Sequence, residues 1–227
     1  MQAVILAAGR GVRMGHLTDH CPKPMLLIGG RPKLEYSLRA LPEAITEVIL
    51  VVGYRGDTIR AYFGASFGGR TIRYAEQREL NGSGGAVHLV KDMLDDRFLV
   101  LMGDDLYLKE DLERLIQYEL AILVCEREDS GQFGVLETDT SGRLLRIIER
   151  PHPPEYTLVN TGAYILNKEF FEYPLVPISE KEYGLPQTLM QMRDTYDIAV
   201  ERTKTWFPIG SPEALEQAEE AIDDFVD

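Results

Sequence analysis

The chain has 227 residues, enough for one substantial core or one core with a small lobe. Its content of 44% hydrophobic and 27% charged residues excludes a disordered chain, and apolar runs such as those at 48–52 and 98–102 fall far short of the ~20 residues that cross a bilayer. A formal charge of −13 argues against a broad nucleic-acid surface, which needs lysine and arginine opposite phosphate.

Met1-Gln2 runs straight into Ala3-Val4-Ile5-Leu6, which reads as a buried strand over 2–7 rather than a signal peptide, so a cytoplasmic setting is expected. Cys21 and Cys125 fit neither a disulfide framework nor a zinc spacing. Further strands are predicted at 47–53, 71–75 and 98–102, with helices between them at 32–41, 57–63 and 85–94. This alternation predicts βαβ units and a mainly parallel sheet, whose ligands collect at the carboxyl ends of the strands. Strands at 121–126, 134–137, 144–149 and 158–166 are predicted to extend the sheet partly antiparallel. They are broken by a turn at Asp139-Thr140-Ser141-Gly142 and a rigid extended loop at Pro151-His152-Pro153-Pro154. A closing helix over 211–225 starts with Ser211 as N-cap, Pro212 at the first position and Glu213 near the positive end of the dipole.

After the first strand comes Ala7-Ala8-Gly9-Arg10-Gly11-Val12-Arg13-Met14-Gly15. Glycines directly after a buried strand let backbone N–H groups converge on a phosphate. Arg10, Arg13 and Lys23 also concentrate cations within one short segment of an acidic chain. The loop lacks the Gly-Lys-Ser/Thr ending of a Walker loop. It places Met14 where a dinucleotide fingerprint requires its third glycine, with Gly15 one position late. Lys23 stands between Pro22 and Pro24, each of which fixes φ and removes an N–H, so a stiff extended segment is predicted to hold the ammonium.

The run from Leu6 to Met14, then Leu17-Thr18, Pro22 to Leu26, Gly30, Pro32 and Leu34-Glu35-Tyr36 closely resembles the opening of the sugar-phosphate nucleotidyltransferases, the nucleoside-diphosphate-sugar pyrophosphorylases. The resemblance covers nearly the whole chain. It implies a Rossmann-like, GT-A-like α/β fold with a mixed, mainly parallel sheet flanked by helices, in a single domain over 1–227. Residues 1–120 would serve mainly the nucleotide and 121–227 mainly the sugar. The implied reaction joins a nucleoside triphosphate to a sugar 1-phosphate with Mg²⁺ and releases pyrophosphate. Arg13 and Lys23 would stabilise charge as the α-phosphorus is attacked, while Leu6, Ala8, Gly9 and Gly11 would line the nucleotide.

A second match runs from Glu76 to Ala86, where the family reads the base edge with a glutamine and a Gly-Thr/Ser pair; it implies Gln77, Gly82 and Ser83 as base contacts. A glutamine carries both a donor and an acceptor. By itself the segment reads as a glycine-rich turn with Ser83 capping the next helix. The strand at 98–102 ends in Gly103-Asp104-Asp105, and carboxylates there suit Mg²⁺, which favours one or two of them plus substrate phosphates. Matched with the family's Gly-Asp motif, Asp104 becomes the implied metal ligand and Asp105 its supporting neighbour.

On the sugar side, Phe133-Gly134, Glu149 and Asn160-Thr161-Gly162 resemble family motifs. They imply a backbone contact from Gly134 and hydroxyl contacts from Glu149 and Asn160. Arg150 stands where many members have lysine; it keeps the charge and can grip phosphate through two N–H groups. A second departure lies in the segment from Trp206 to Glu213, whose third position carries an Asp or Asn metal ligand in the family and Pro208 here. Two other readings stay open. One transfers to phosphocholine, with Tyr156, Tyr164 and Trp206 as an aromatic cage; the other is a catalytically impaired regulatory module that binds nucleotide sugars. No nucleic-acid or membrane partner is expected, and the base, the sugar and the oligomeric state are left open.

Overall fold

The strands predicted in the first half form side by side and parallel, three of them almost wholly buried and the one at Arg70–Glu76 half exposed. In the computed structural model, which describes residues 1–153 and 155–225, these are β1 (Gln2–Ala7), β2 (Glu47–Val52), β3 (Arg70–Glu76) and β4 (Arg97–Met102). They lie in the order β3–β2–β1–β4, all parallel. Alternate residues of β1 feed two cores: Ala3, Ile5 and Ala7 pack on one face, Val4 on the other. Helices α1 (Lys33–Arg39) and α2 (Gly56–Phe63) cover the first face, and α3 (Gly82–Leu89) covers the second. Two helices depart from their predicted bounds. The first starts after Pro32, and the third begins early at Gly82 and gives way to a 3-10 turn at Lys91–Met93.

The second half joins the same sheet. Strands β5 (Asp105–Tyr107), β6 (Ala121–Glu126), β7 (Val135–Thr138), β8 (Leu144–Ile148), β9 (Leu158–Asn167), β10 (Ala199–Thr203) and β11 (Trp206–Pro208) follow in order. Antiparallel β9 pairs with β4, β6 and β7, while β10 runs parallel beside β6. With β8 and the short edge strand Ser66–Phe67, and without β5 and β11, which pair with each other, these strands form one ten-stranded sheet, mixed as predicted. The short helices α4 (Lys109–Leu115) and α5 (Leu185–Leu189), the strand β10 and the two-stranded ribbon β5–β11 were not legible in the sequence. Three-residue strands carry no periodicity, and β10 (Ala-Val-Glu-Arg-Thr) has no apolar alternation.

The turn at 139–142 forms as predicted, with the Gly142 N–H donating to Asp139 O at 3.0 Å. Of the proline-rich loop, Pro154 lies outside the described residues. Helix α6 (Pro212–Ala221) has the predicted cap, Ser211 Oγ accepting from the Ala214 N–H at 3.3 Å, and ends in a 3-10 turn at Ile222–Phe225. Among the described residues no helix is long and apolar enough to cross a membrane.

β9 carries an irregularity that matters for the site. Asn160 faces Val124 and Tyr164 faces Ile122, so four steps along β9 pass only two along β6. Gly162 sits in this bulge at φ 78°, and a Cβ there would lie 2.5 Å from Met102 Cγ. Gly162→Ala is therefore expected to cost at least about 2 kcal/mol, from left-handed strain plus the clash, as a lowered urea midpoint with an unchanged slope.

Candidate active site

The carboxyl ends of β1 and β4 lie side by side, and the two segments that leave them form the centre of the site. The Gly103 N–H donates to Leu6 O at 3.0 Å, which holds the turn after β4 against the end of β1. The loop after β1 is rigidly built. The Met14 N–H donates to Gly11 O at 2.9 Å, Thr18 Oγ1 donates to Gly11 O at 3.1 Å, and the Tyr54 hydroxyl reaches Thr18 O and Asp19 O. Gly11 is required at two levels: its φ is 67°, and a Cβ would stand 2.8 Å from Lys23 Cβ. A Cβ on Gly9 would meet nothing within 4 Å, so open space lies above it. Among the described residues, the N–H groups of Gly9, Arg10 and Gly11 have no acceptor, as a phosphate cradle needs.

Lys23 crosses this loop and donates from Nζ to Asp104 Oδ2. The predicted extended segment is corrected here. Pro22 is extended, but Lys23–Met25 forms one 3-10 turn, with the Met25 N–H donating to Pro22 O at 2.8 Å. Pro24 tolerates the turn because its missing N–H would be an unpaired first-turn donor in any case. Lys23 is buried, and only its tip reaches the cleft.

Two cavities meet at this ion pair. The smaller, about 480 Å³, is lined by Leu6, Ala8, Gly9, Gly11, Gln77, Gly82 and Ser83. The larger, about 720 Å³, is lined by Gly134, Glu149, Arg150 and Asn160. Arg13, Lys23, Ser83, Met102, Asp104 and Gly210 line both. The candidate residues for catalysis, nucleotide and sugar phosphate read from the sequence thus all line a continuous two-chambered cleft.

In the smaller chamber, Gln77 Nε2 donates to Asn81 Oδ1 at 2.8 Å and to Gly82 O at 3.3 Å. The carbonyl can only accept, so the orientation of this amide is set, and Oε1 is the group left for a ligand. Ser83 is not the cap of α3. It lies inside the first turn, after Asn81, and its Oγ accepts from the Leu185 N–H at 3.1 Å, linking α3 to α5.

In the larger chamber, Gln187 of α5 donates to Glu149 Oε1 at 2.8 Å and orients the carboxylate beside Gly134. Across the β9 bulge, Asn160 Oδ1 accepts from the Gly162 N–H at 2.9 Å and its Nδ2 donates to the Tyr164 hydroxyl at 2.7 Å. The aromatic cage does not assemble. The Tyr156 hydroxyl accepts from Arg146 and is not among the cleft-lining residues, and Tyr164 is bound to Asn160. Trp206 packs edge-on to Phe133, and the Arg127 guanidinium lies 5.7 Å from the Phe133 ring and 6.0 Å from that of Trp206. A quaternary ammonium would meet this resident cation.

Behind the turn at Asp104 lies a residue that the sequence reading missed. Lys33, at the start of α1, has no exposed surface, and among the described residues its ammonium has no hydrogen-bond partner. Burial pushes it down to about 8, against the opposing pull of Asp104 and Asp105. Burial and then the Asp104 charge push Asp105 up to about 8. For Asp104 burial acts upward too, but Lys23, Lys33 and Arg13 outweigh it and hold its carboxyl below the usual range. Gln187 and Arg127 were missed as well. All three lie in stretches whose spacing marks an ordinary polar helix face or strand end, so nothing local singles them out.

A family model described as nucleotidyl transferase matches residues 2–224. The chain is 36% identical over 172 residues to the bifunctional protein GlmU of Methanocaldococcus jannaschii, covering 76% of this chain and 41% of that protein. It spans about half the length, or less, of the curated GlmU relatives that it matches. It is 30% identical over 234 residues to the UTP–glucose-1-phosphate uridylyltransferase AglF of Haloferax volcanii, covering 98% of this chain and 96% of that one. A solved UDP-glucose pyrophosphorylase complexed with UDP-glucose superposes with a TM-score of 0.81 at 22% identity, covering 98% of each chain; this shows a shared fold, the GT-A-like nucleotidyltransferase architecture.

Among the charges around this cleft, the buried Lys33 gives the clearest expectation for stability. Its proton is held less tightly folded, at about 8, than at the ordinary 10.5, so between those values the unfolded chain binds more protons and stability rises with pH. Below about pH 8 the full cost of burying the charge is present. Lys33→Met should be more stable than the wild type at pH 7, by about 3 kcal/mol at most, and the advantage should shrink steadily from pH 8 to 10.5. Urea melts of both proteins across that range check this.

Proposed function

The chain belongs to the nucleotidyl transferase family, and within it we propose that it joins a nucleoside triphosphate to a sugar 1-phosphate, giving a nucleoside-diphosphate sugar and pyrophosphate. One observation carries the reading: a glycine-walled chamber and a chamber lined by Glu149 and Asn160 open onto each other at Lys23, Arg13 and Asp104. A reaction that joins two phosphorylated substrates needs such a junction. The nearly full-length likeness to AglF supports a sugar 1-phosphate as acceptor. We read the setting as cytoplasmic, where activated phosphates are made.

In this mechanism a phosphate oxygen of the sugar 1-phosphate attacks the α-phosphorus in line. The new P–O bond forms as the bond to the bridging oxygen breaks, and pyrophosphate leaves with the electron pair. The nucleophile is already anionic near neutral pH, so no general base is required, and the protein's work is alignment and charge stabilisation. Lys23 and Arg13 offset the charge that gathers on the phosphates. Glu149, held by Gln187, together with Asn160 and the Gly134 backbone, takes the sugar hydroxyls, and Arg150 takes the acceptor phosphate.

The donor set suits Mg²⁺. Asp104 faces the cleft, its carboxylate already holds a cation in the Lys23 ammonium, and one carboxylate plus phosphate and water oxygens lies within the preference of this ion. Bound there, Mg²⁺ would neutralise phosphate charge as pyrophosphate departs. Pro208 supplies no donor. That substitution is the observation favouring the second reading, a regulatory module that binds nucleotide sugars. Nucleotide-sugar binding without pyrophosphate release under any divalent ion would favour it.

Gln77 also bears on the base. With both its N–H groups engaged, it offers an acceptor, which suits the ring N–H of uracil or thymine and opposes the bare ring nitrogen of cytosine or adenine.

Two outcomes are expected. Lys23→Ala should lower kcat about 10²–10³-fold with an unchanged circular dichroism spectrum, and near-normal turnover would remove Lys23 from the mechanism. In a pyrophosphate-release panel with glucose 1-phosphate, UTP or dTTP should exceed CTP and ATP in kcat/KM by at least about tenfold, and Gln77→Leu should narrow that gap.

A further inference from the structure

The reaction as derived gives Lys33 no part, yet its ammonium is sealed in the interior without a hydrogen-bond partner among the described residues. A buried charge in that state is strongly unfavourable unless neighbouring charge offsets it. The groups facing it are the carboxylates of Asp104 and Asp105, the Lys23 ammonium and the Cys21 thiol. Asp105 is fixed from both sides. Ser37, one turn along the same face of α1, donates to Asp105 O at 3.2 Å, and the Ile209 N–H donates to Asp105 Oδ1 at 3.4 Å. Pro208, directly opposite Asp105 in the β5–β11 ribbon, presents no ligating atom.

Asp104 and Asp105 therefore lie close to two ammonium groups, and Lys23 alone contacts Asp104. Lys23 lies on the cleft side and lines both chambers, whereas Lys33 lines neither. A divalent ion arriving alone meets Asp104, whose charge is already offset by the ammonium groups beside it. It can displace the Lys23 ammonium, whose tip reaches the cleft, but not Lys33. Phosphates of a bound nucleotide alter that balance, because they bring negative charge and further oxygen donors.

We propose that Lys33 is a fixed counter-charge that prevents the Asp104–Asp105 pair from holding a divalent ion by itself, so that the ion enters this site only together with the nucleotide phosphates. The proposal rests on the reading of Asp104 as the metal-side carboxylate. Lys33 touches neither substrate; it is a positioning residue that acts through the carboxylate pair.

The experiment measures Mn²⁺ binding to the full chain by water-proton relaxation, which requires no turnover. It is run without nucleotide, and with a uridine triphosphate analogue whose α,β bridge is a methylene group. The wild type should bind Mn²⁺ weakly alone and show the enhanced relaxation of a ternary complex with the analogue. Lys33→Met should bind Mn²⁺ without nucleotide on the order of 10- to 100-fold more tightly than the wild type, and adding Asp104→Asn should abolish that gain. Lys33→Gln, which keeps a polar end group and loses the charge, should behave likewise and carries the comparison if Lys33→Met does not fold. Folded variants that bind Mn²⁺ as weakly as the wild type overturn the proposal, as does a wild type that already binds as tightly as the variants. No ternary enhancement in the wild type removes the metal assignment of Asp104 itself, and the role of Lys33 with it; that result is distinct because it shows without any variant.

Discussion

The ion pair between Lys23 and Asp104 is the constraint on which the rest of the site depends. It ties the loop after β1 to the turn after β4, two segments that lie together because β1 and β4 are adjacent and parallel. Parallel neighbours send their carboxyl ends to one edge of the sheet, so a cation and a carboxylate far apart in the chain meet there. Several glycines serve this meeting. Gly11 leaves room for the stem of Lys23, and Gly103 lies against Leu6 O, where a Cβ would stand 3.0 Å from it. The two chambers share this pair as a wall, which makes it the place where two phosphorylated substrates could react.

The second half completes the cleft from the other side by entering the same sheet antiparallel. β9 reaches along β4 and past it, and its bulge at Gly162 turns the strand just where Asn160 faces the larger chamber. The two chambers are also tied mechanically. Ser83, on the wall of the smaller one, receives the Leu185 N–H, while Gln187 of the same short helix α5 holds Glu149 in the larger one. A shift of α5 would therefore be felt in both chambers.

Much of this was legible in the chain. The spacing of Gly9, Gly11, Arg13 and Lys23, the Gln77 to Ser83 segment, and Asp104 at a strand end are local patterns, and the structure gathers them around one cleft. The failures are equally local in origin. Ser83 looks like a helix cap by sequence, but α3 begins earlier and its hydroxyl finds a partner about a hundred residues away. Pro22 and Pro24 suggested an extended lysine, yet a 3-10 turn satisfies both prolines. Tyr156, Tyr164 and Trp206 have the composition of a cage, but each ring has another neighbour, and Arg127 lies near the face that a cation would take.

The sequence by itself determined the alternation of strands and helices, the mixed sheet and the loop that precedes Lys23, because periodicity and backbone chemistry act over short distances along the chain. Only the tertiary structure decided what surrounds each charge. Lys33 reads as an ordinary lysine at the start of a helix, and it becomes a sealed cation only when α1 packs against the turn at Asp104 and Asp105. Arg127 and Gln187 acquire their roles in the same way, through neighbours remote in sequence. The physical reason is that desolvation and Coulomb terms depend on separation in space, which residue order does not record until the sheet has brought its strand ends together.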